Sequence, residues 1–301
     1  MGIKVLNEQI KPVVSVIMSV RDADAWLSAS LKSILAQTLQ SFEFLIMDDA
    51  SKDETAKILK EFQDYDSRIK IYVNKSPKGL PSNLNFLIKV ARGDYIARMD
   101  ADDISHKERL ETQLTFMKQN KHIGVCFSNV NIILDEGEFL CRKWSPDNIK
   151  TALFMLPYIN YFVHPTAFVK REVYLEDGLY NENFLKAQDW ELWQRILKKN
   201  IGFGVVPQVL FDYRLRLNSS SASLSSSSSY GLNYFKAIVM IRNQHKLESI
   251  KLISKIPKRM LLRYAVNLFV PQIIFLFAVI INSKFNKNSP AHQLLRQSSS
   301  V

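Results

Sequence analysis

Cysteine is scarce in this 301-residue chain, which has only Cys126 and Cys141. Their spacing fits no zinc site and their number no disulfide framework, so a reduced compartment is the simplest reading. The N-terminal Met-Gly-Ile-Lys-Val-Leu-Asn-Glu lacks the apolar run of a signal peptide, and export is not expected. No internal repeat is present. Acid is nearly absent beyond residue 229: residues 230–301 hold eleven Lys/Arg and one carboxylate, Glu248. Residues 1–229 hold 29 basic and 28 acidic side chains, so almost all of the net charge of +11 belongs to the last quarter. That asymmetry implies an anionic partner for the tail and none for the body.

What is present is an ordinary globular composition, 47% hydrophobic and 23% charged, able to bury a core. The first hundred residues alternate strand and helix. Apolar runs at 13–20, 42–47, 69–73 and 95–99 read as strands. Between them Trp26, Leu27, Leu31, Ile34 and Leu35, then Ile58, Leu59 and Phe62, then Leu84, Leu87, Ile88 and Ala91 recur at helical spacing, with Gly93 ending the third helix. Strands separated by helices of this length call for a parallel sheet, an α/β fold, with ligands beyond the carboxyl ends of the strands. Ser19-Val20-Arg21-Asp22, Asp48-Asp49 and Asp100–Asp103 all fall on that rim. The second half is less regular: 106–118 and 187–198 read as helices and 123–134 as a strand.

Residues 219–229 are almost all serine and read as a flexible linker. Beyond it, 264–281 is apolar except for Asn267, Pro271 and Gln272. As a helix it would be roughly 27 Å long at about 1.5 Å per residue, slightly short of a hydrocarbon core of about 30 Å. With basic residues on both sides it is expected to lie on, or insert partly into, an anionic membrane surface; the alternative is a helix packed on the body. The tail lacks the aromatic interleaving of a nucleic-acid binder, and no nucleic-acid partner is expected.

The strongest motif is Arg98-Met99-Asp100-Ala101-Asp102-Asp103. In extended backbone residues i and i+2 point the same way, so Asp100 and Asp102 converge, and two carboxylates held together call for a cation. An oxygen-ligated Mn²⁺ or Mg²⁺ answers this and leaves positions open for phosphate. Capping does not account for these acids, because Ser105 with Glu108 forms a capping box for the next helix, as Ser51 with Glu54 does earlier.

These segments together resemble a family 2 glycosyltransferase of the GT-A fold, a Rossmann-like, mostly parallel sheet with flanking helices. The resemblance runs through Val14-Ser15-Val16-Ile17-Met18, Ser33–Thr38, Phe42–Ser51, Gly93–Asp103, His164-Pro165-Thr166, Gln188–Trp193 and Tyr213-Arg214, in the family's order. It covers roughly Val13 to Ser221, so a catalytic domain is expected at 1–218, ahead of the serine linker at 219–229 and the basic, apolar helical tail at 230–301 read from composition. It implies that Asp100 and Asp102 hold metal and diphosphate, that Ser19, Val20, Arg21, Asp22 and Asp49 line the nucleotide site, and that Asp189 is the base of an inverting transfer. A sugar hydroxyl needs a positioned carboxylate to take its proton, and the helix dipole is expected to keep Asp189 ionised. Trp190 or Trp193 could offer a ring face to an acceptor sugar, although their helical spacing fits core packing. His164 reads equally as a structural hydrogen-bonding group or a site residue. Arg216 could answer the diphosphate by charge. Ser19, Arg21 and Gln188 depart from the family's usual Pro, Tyr and Glu.

The implied function is transfer of a sugar from a nucleotide-diphosphate donor, UDP-linked, to a hydroxyl of a glycan or lipid-linked acceptor in surface polysaccharide or lipo-oligosaccharide synthesis. The enzyme is expected in the cytoplasm, peripherally bound to the inner face of the membrane. A nucleotidyltransferase is the enzyme alternative, but Ser19-Val20-Arg21-Asp22 lacks the glycine of its phosphate loop. A catalytically inactive sugar-nucleotide-binding scaffold is the other, and the presence of Asp189 argues against it.

Overall fold

A computed structural model of the chain describes residues 11–143, 149–156 and 160–214. Arg216, the serine run and the tail lie outside the described residues, so the expectations for them and for the 218 boundary do too. Among the described residues no helix is long and apolar enough to cross a membrane.

The first half follows the alternating pattern. Strands β1 (Val14–Val20), β2 (Phe42–Asp48), β3 (Ile69–Val73) and β4 (Tyr95–Met99) pair in parallel in the order β3-β2-β1-β4. Helices α1 (Asp24–Leu35), α2 (Thr55–Tyr65) and α3 (Leu80–Val90) connect them. β1 and β2 are buried almost throughout, as strands covered on both faces must be. Leu27, Leu31 and Ile34 of α1 share one buried cluster with Val16 and Met18 of β1 and with Ala97 and Met99 of β4. One polar clasp sits inside this core. Glu43 accepts from the Ser15 hydroxyl at 2.7 Å, the Lys70 amine at 2.9 Å and the Arg92 backbone N–H at 2.7 Å, so its buried charge is fully answered.

Gly93 does not end α3, which stops at Val90. It lies in the entry to β4, where a Cβ would fall 2.5 Å from the Ser15 backbone nitrogen, so only glycine fits against β1.

The second half is mixed. After the short β5 (Ile104–Ser105) and α4 (Arg109–Gln119) come β6 (Ile123–Ile133), β7 (Phe139–Lys143), α5 (Ile149–Met155), β8 (Phe168–Lys170), α6 (Arg171–Asp177), α7 (Gln188–Lys198) and β9 (Gly202–Arg214). β8 joins the halves, antiparallel to β4 and to β6, and β9 runs parallel to β6 and antiparallel to β5. The β6–β9 register shifts between Ser128 and Asn129, beside Pro207, which has no N–H to give the ladder.

Neither expected capping box forms. Ser105 belongs to β5 and the N-cap of α4 is Glu108; the N-cap of α2 is Glu54, and neither cap carries a side-chain hydrogen bond. The Ser51 hydroxyl instead donates to Asp48 at 2.6 Å.

Just after β5, the His106 ring meets Asp212 of β9 at 2.8 Å, and Asn131 donates to the same carboxylate at 2.8 Å. Asp212 raises the His106 pKa against the opposing effect of burial. Burial pushes Asp212 up, but His106 and Asn131 outweigh it and the net shift is downward. The histidine's contribution is therefore complete below its ordinary value and is lost as pH rises through its raised one; the aspartate's is lost only in strong acid. Stability should fall by about 1 kcal/mol across the alkaline side of the histidine range. Melting curves of the native chain and Asp212→Asn against pH check this: the variant's profile should lack that fall, and identical profiles would exclude the pair as its source.

Candidate active site

The rim beyond β1, β2 and β4 gathers most of the expected residues. β4 ends at Met99, and the chain turns at Ala101-Asp102 instead of staying extended. Carboxylate oxygens of Asp100, Asp102 and Asp103 lie within 4.8 Å of one another. The turn, not an i/i+2 strand repeat, makes them converge, and it adds Asp103 to the expected pair. Its backbone is clamped from two sides. Ser30 of α1 donates to the Asp100 carbonyl at 3.0 Å, and the Arg214 guanidinium to the Asp102 carbonyl at 2.7 Å. The Arg214 backbone N–H also bonds Asp103 at 2.7 Å, and its guanidinium reaches the carbonyls of Leu134 and Asp135.

Asp103 is 0% exposed, and its second carboxylate oxygen has no hydrogen-bond partner. Burial first, then the charges of Asp100 and Asp102, push its pKa well above the carboxylate range. Three carboxylates, one with an orphaned buried oxygen, form a hard oxygen donor set that fits Mn²⁺ or Mg²⁺.

Two loops form the adjoining wall. The Asp22 backbone N–H bonds the Ser51 hydroxyl at 3.1 Å, and its carboxylate accepts from the Lys52 N–H at 2.8 Å, stapling the β1–α1 loop to the β2–α2 loop. Arg21 is exposed and pairs with Asp22 at 3.5 Å. Val20 differs from expectation: its side chain is in the core and its carbonyl is taken by the Asp49 N–H at 2.9 Å. Ser19 accepts from Asn83 at 3.0 Å. Asp49 accepts from the backbone N–H groups of Lys78 and Gly79 at 2.8 and 2.9 Å and from Asn74 at 2.8 Å. Burial raises its pKa, but those donors more than reverse the effect and keep it ionised. Asn83 also hydrogen-bonds Asp49, and a carboxylate has about four lone-pair sites, so its acceptors are fully engaged.

Asp189 is the second residue of α7, half-buried, and accepts from the Asn160 side chain at 2.8 Å. The helix N-terminus does not dominate here. Burial raises its pKa more than the backbone N–H groups of Trp190 and Asp189, the Arg98 charge and Asn160 together lower it. Trp190 cannot present a ring face: it is 4% exposed and its indole N–H donates to the Leu156 carbonyl at 2.5 Å. Trp193 is core, edge-on to Phe127 and Phe203. His164 is buried too, with its Nε2 at 2.7 Å from the Tyr180 hydroxyl, and burial holds its pKa well down. It is an internal hydrogen-bonding group.

Among the described residues, three of the four non-glycine residues with positive φ adjoin these groups: Asp22 (48°), Ala50 (60°) and Ala187 (55°). Such conformations cost roughly 1–2 kcal/mol each, and they concentrate where the chain must turn sharply to present Arg21, Asp49 and Asp189.

Sequence reasoning quoted Arg98 and Arg214 within its motifs but gave neither a role, and it missed the asparagines Asn74, Asn83 and Asn160. The signal for Arg98 is a lone charge inside an apolar strand two residues before Asp100, and that for Arg214 is its place in the Tyr213-Arg214 segment.

The sequence profile of glycosyl transferase family 2 matches residues 15–178, more than half of the chain. An uncharacterised glycosyltransferase of Methanocaldococcus jannaschii is 32% identical over 216 residues, covering 70% of this chain and 73% of its own. The O-antigen biosynthesis glycosyltransferase WbnJ of Escherichia coli is 34% identical over 236 residues, covering 76% and 91%. Among solved structures, S. aureus TarS 1-349 in complex with UDP-GlcNAc aligns with a TM-score of 0.61 at 18% identity, over 76% of this chain and 66% of that one. A mannosyltransferase from Pyrobaculum calidifontis with GDP-Man and Mn²⁺ aligns at 0.57 and 17% identity, over 97% and 81%. The chain spans 36% of the length of another TarS crystal structure. The fold is GT-A, with the parallel half-sheet as expected and a mixed second half, and the chain belongs to glycosyl transferase family 2.

Proposed function

We propose that the chain transfers a sugar from a nucleoside-diphosphate donor to an acceptor hydroxyl with inversion, using Asp100, Asp102 and Asp103 to hold a divalent ion and Asp189 as base. The observation that carries this reading is the convergence of three carboxylates at the end of β4, with Arg98 ion-paired to Asp100 and its charge also acting on Asp189. A divalent ion bound there supplies charge neutralisation for the departing diphosphate. Asp189 accepts the hydroxyl proton as the acceptor oxygen bonds to the anomeric carbon; the bond from that carbon to the diphosphate breaks, and its electron pair leaves with the phosphate. Attack opposite the leaving group inverts the configuration. Asp49 and the exposed Arg21 form the nucleotide end.

UDP is the proposed nucleotide and a hexose or N-acetylhexosamine the sugar, since TarS was solved with UDP-GlcNAc; GDP is the comparison, because the mannosyltransferase holds GDP-Man. A growing glycan or its lipid-linked form is the proposed acceptor, supported by the likeness to WbnJ and by the eleven basic residues of 230–301, suited to an anionic membrane face.

A thermal-shift panel of UDP, GDP and CDP with and without Mn²⁺ tests the site. At about 100 times the dissociation constant, binding contributes about 2.7 kcal/mol, or roughly 5–10 °C for a chain of this size. Stabilisation should need nucleotide and ion together. An equal rise in the presence of chelator would refute the metal-assisted site.

A further inference from the structure

Arg98 is the unexplained charge of this site. The period of β4 puts Ala97 and Met99 in the core cluster against α1 and turns Arg98 to the opposite face. There it is 3% exposed, and one terminal nitrogen is ion-paired with Asp100. Its Nε and its other terminal nitrogen are buried without a hydrogen-bond partner. A guanidinium left with unsatisfied donors is a poor structural device, since the fold pays for its desolvation and recovers one ion pair.

The strand does not need that side chain. The Arg98 backbone N–H bonds the Ala167 carbonyl at 2.9 Å, and Arg109 bonds the Arg98 and Pro165 carbonyls at 2.8 and 2.9 Å. These bonds fasten β4 to the segment around His164 through main-chain atoms. The charged groups that feel Arg98 are Asp100, Asp103, Asp189 and the like-charged Arg109; His164, Tyr174, Tyr180 and Tyr213, also within its field, are held neutral by burial.

We propose that Arg98 is a positioning residue that competes with the divalent ion for Asp100, holding that carboxylate until nucleoside diphosphate and ion arrive together. This rests on the reading that Asp100, Asp102 and Asp103 take a divalent ion. Beside a fixed guanidinium, an ion alone meets a carboxylate already paired and a like charge nearby. The negative charge of a diphosphate removes that conflict: both cations then have anionic partners, and the idle donors of Arg98 can turn to phosphate or to Asp189. Ion and nucleotide therefore bind each as a condition of the other, which keeps Asp100 from taking up free ions unproductively.

The test is Mn²⁺ binding, read from the free-ion signal in electron paramagnetic resonance, for the native chain, Arg98→Met and Arg98→Lys, alone and with UDP or GDP. The native chain should bind Mn²⁺ weakly alone and much more tightly with nucleotide. Arg98→Met should bind Mn²⁺ alone about ten-fold more tightly than native, with a smaller gain from nucleotide, and Arg98→Lys should stay near native. A folded Arg98→Met with unchanged or weaker affinity overturns the proposal. Should that variant not fold, ¹⁵N spectra of the native side chain decide. The Arg98 Nε–H resonance, assigned by its loss in Arg98→Lys, should move on adding Mg²⁺ with nucleotide, and a stationary resonance overturns the proposal. Native chain that binds no Mn²⁺ even with nucleotide sinks the metal reading itself, whereas native binding with an unaltered Arg98→Met sinks only the role of Arg98.

Discussion

Asp189→Asn is expected to lower kcat by roughly 10²–10⁴-fold, the range for loss of a general base, while donor affinity stays native and the melting temperature holds or rises. Asparagine keeps the size of the side chain and an oxygen for Asn160, which donates to Asp189 at 2.8 Å. It removes the charge that accepts the proton. The stability half of the expectation follows from the direction of the pKa shift. Burial raises Asp189 above its ordinary value despite the N–H groups, Arg98 and Asn160 that favour the anion, so the folded state disfavours the ionised form. That penalty is present at neutral pH and is relieved as pH falls through the raised value. The variant's thermal advantage should therefore shrink on acidification. The native acid limb of kcat should lie above the ordinary carboxylate range, and Asn160→Ala, by removing a donor that lowers the pKa, should move it further up. Single-turnover rates, donor titration calorimetry and melting curves separate these effects. Unaltered turnover in Asp189→Asn would remove it from the chemistry, whatever its geometry.

The parallel half of the sheet was legible because its signals are local. Apolar runs such as 42–47 and helical repeats such as Leu84-Leu87-Ile88 need no distant partner to be read, and the strand ends then put Ser19, Asp49 and Asp100 on one rim. The second half depends on pairings with no local mark. β8 is three residues long yet joins both halves, and β6 and β9 pair in parallel with α7 and β8 between them in sequence. Capping failed as a guide because Ser51 and Ser105 were claimed by other partners: Ser51 bonds Asp48, and Ser105 sits in a strand and accepts from Gln37. Asp189 was placed correctly at a helix start, but the direction of its pKa shift was misread, since the weight of burial against a helix terminus is a tertiary quantity. Arg98 was the readable omission. A charge two residues before Asp100 inside an apolar strand was a mark of its ion pair with that carboxylate, and it was given no role.

The second large effect concerns the acids after β4, where two substitutions should part company. Asp102→Asn should abolish the Mn²⁺-dependent rise in melting temperature with nucleotide and lower kcat by about 10³-fold, the several kcal/mol that a Lewis acid contributes. Asp103→Asn tests a finer point. One of its oxygens accepts the Arg214 backbone N–H at 2.7 Å and the other has no partner; asparagine can keep the first bond by turning its carbonyl toward it. If Asp103 serves only to fasten β9 to the turn, Asp103→Asn will melt near native and retain ion-dependent nucleotide binding. If the orphaned oxygen is a ligand, the same variant will keep its fold and lose ion affinity, with turnover falling in step. Fold and ligation are thus read separately in one protein, because the bond to Arg214 survives the change while the charge does not. The convergence of the three side chains within 4.8 Å favours the second outcome, since a lone fastening bond leaves no reason to bury a third carboxylate against two others.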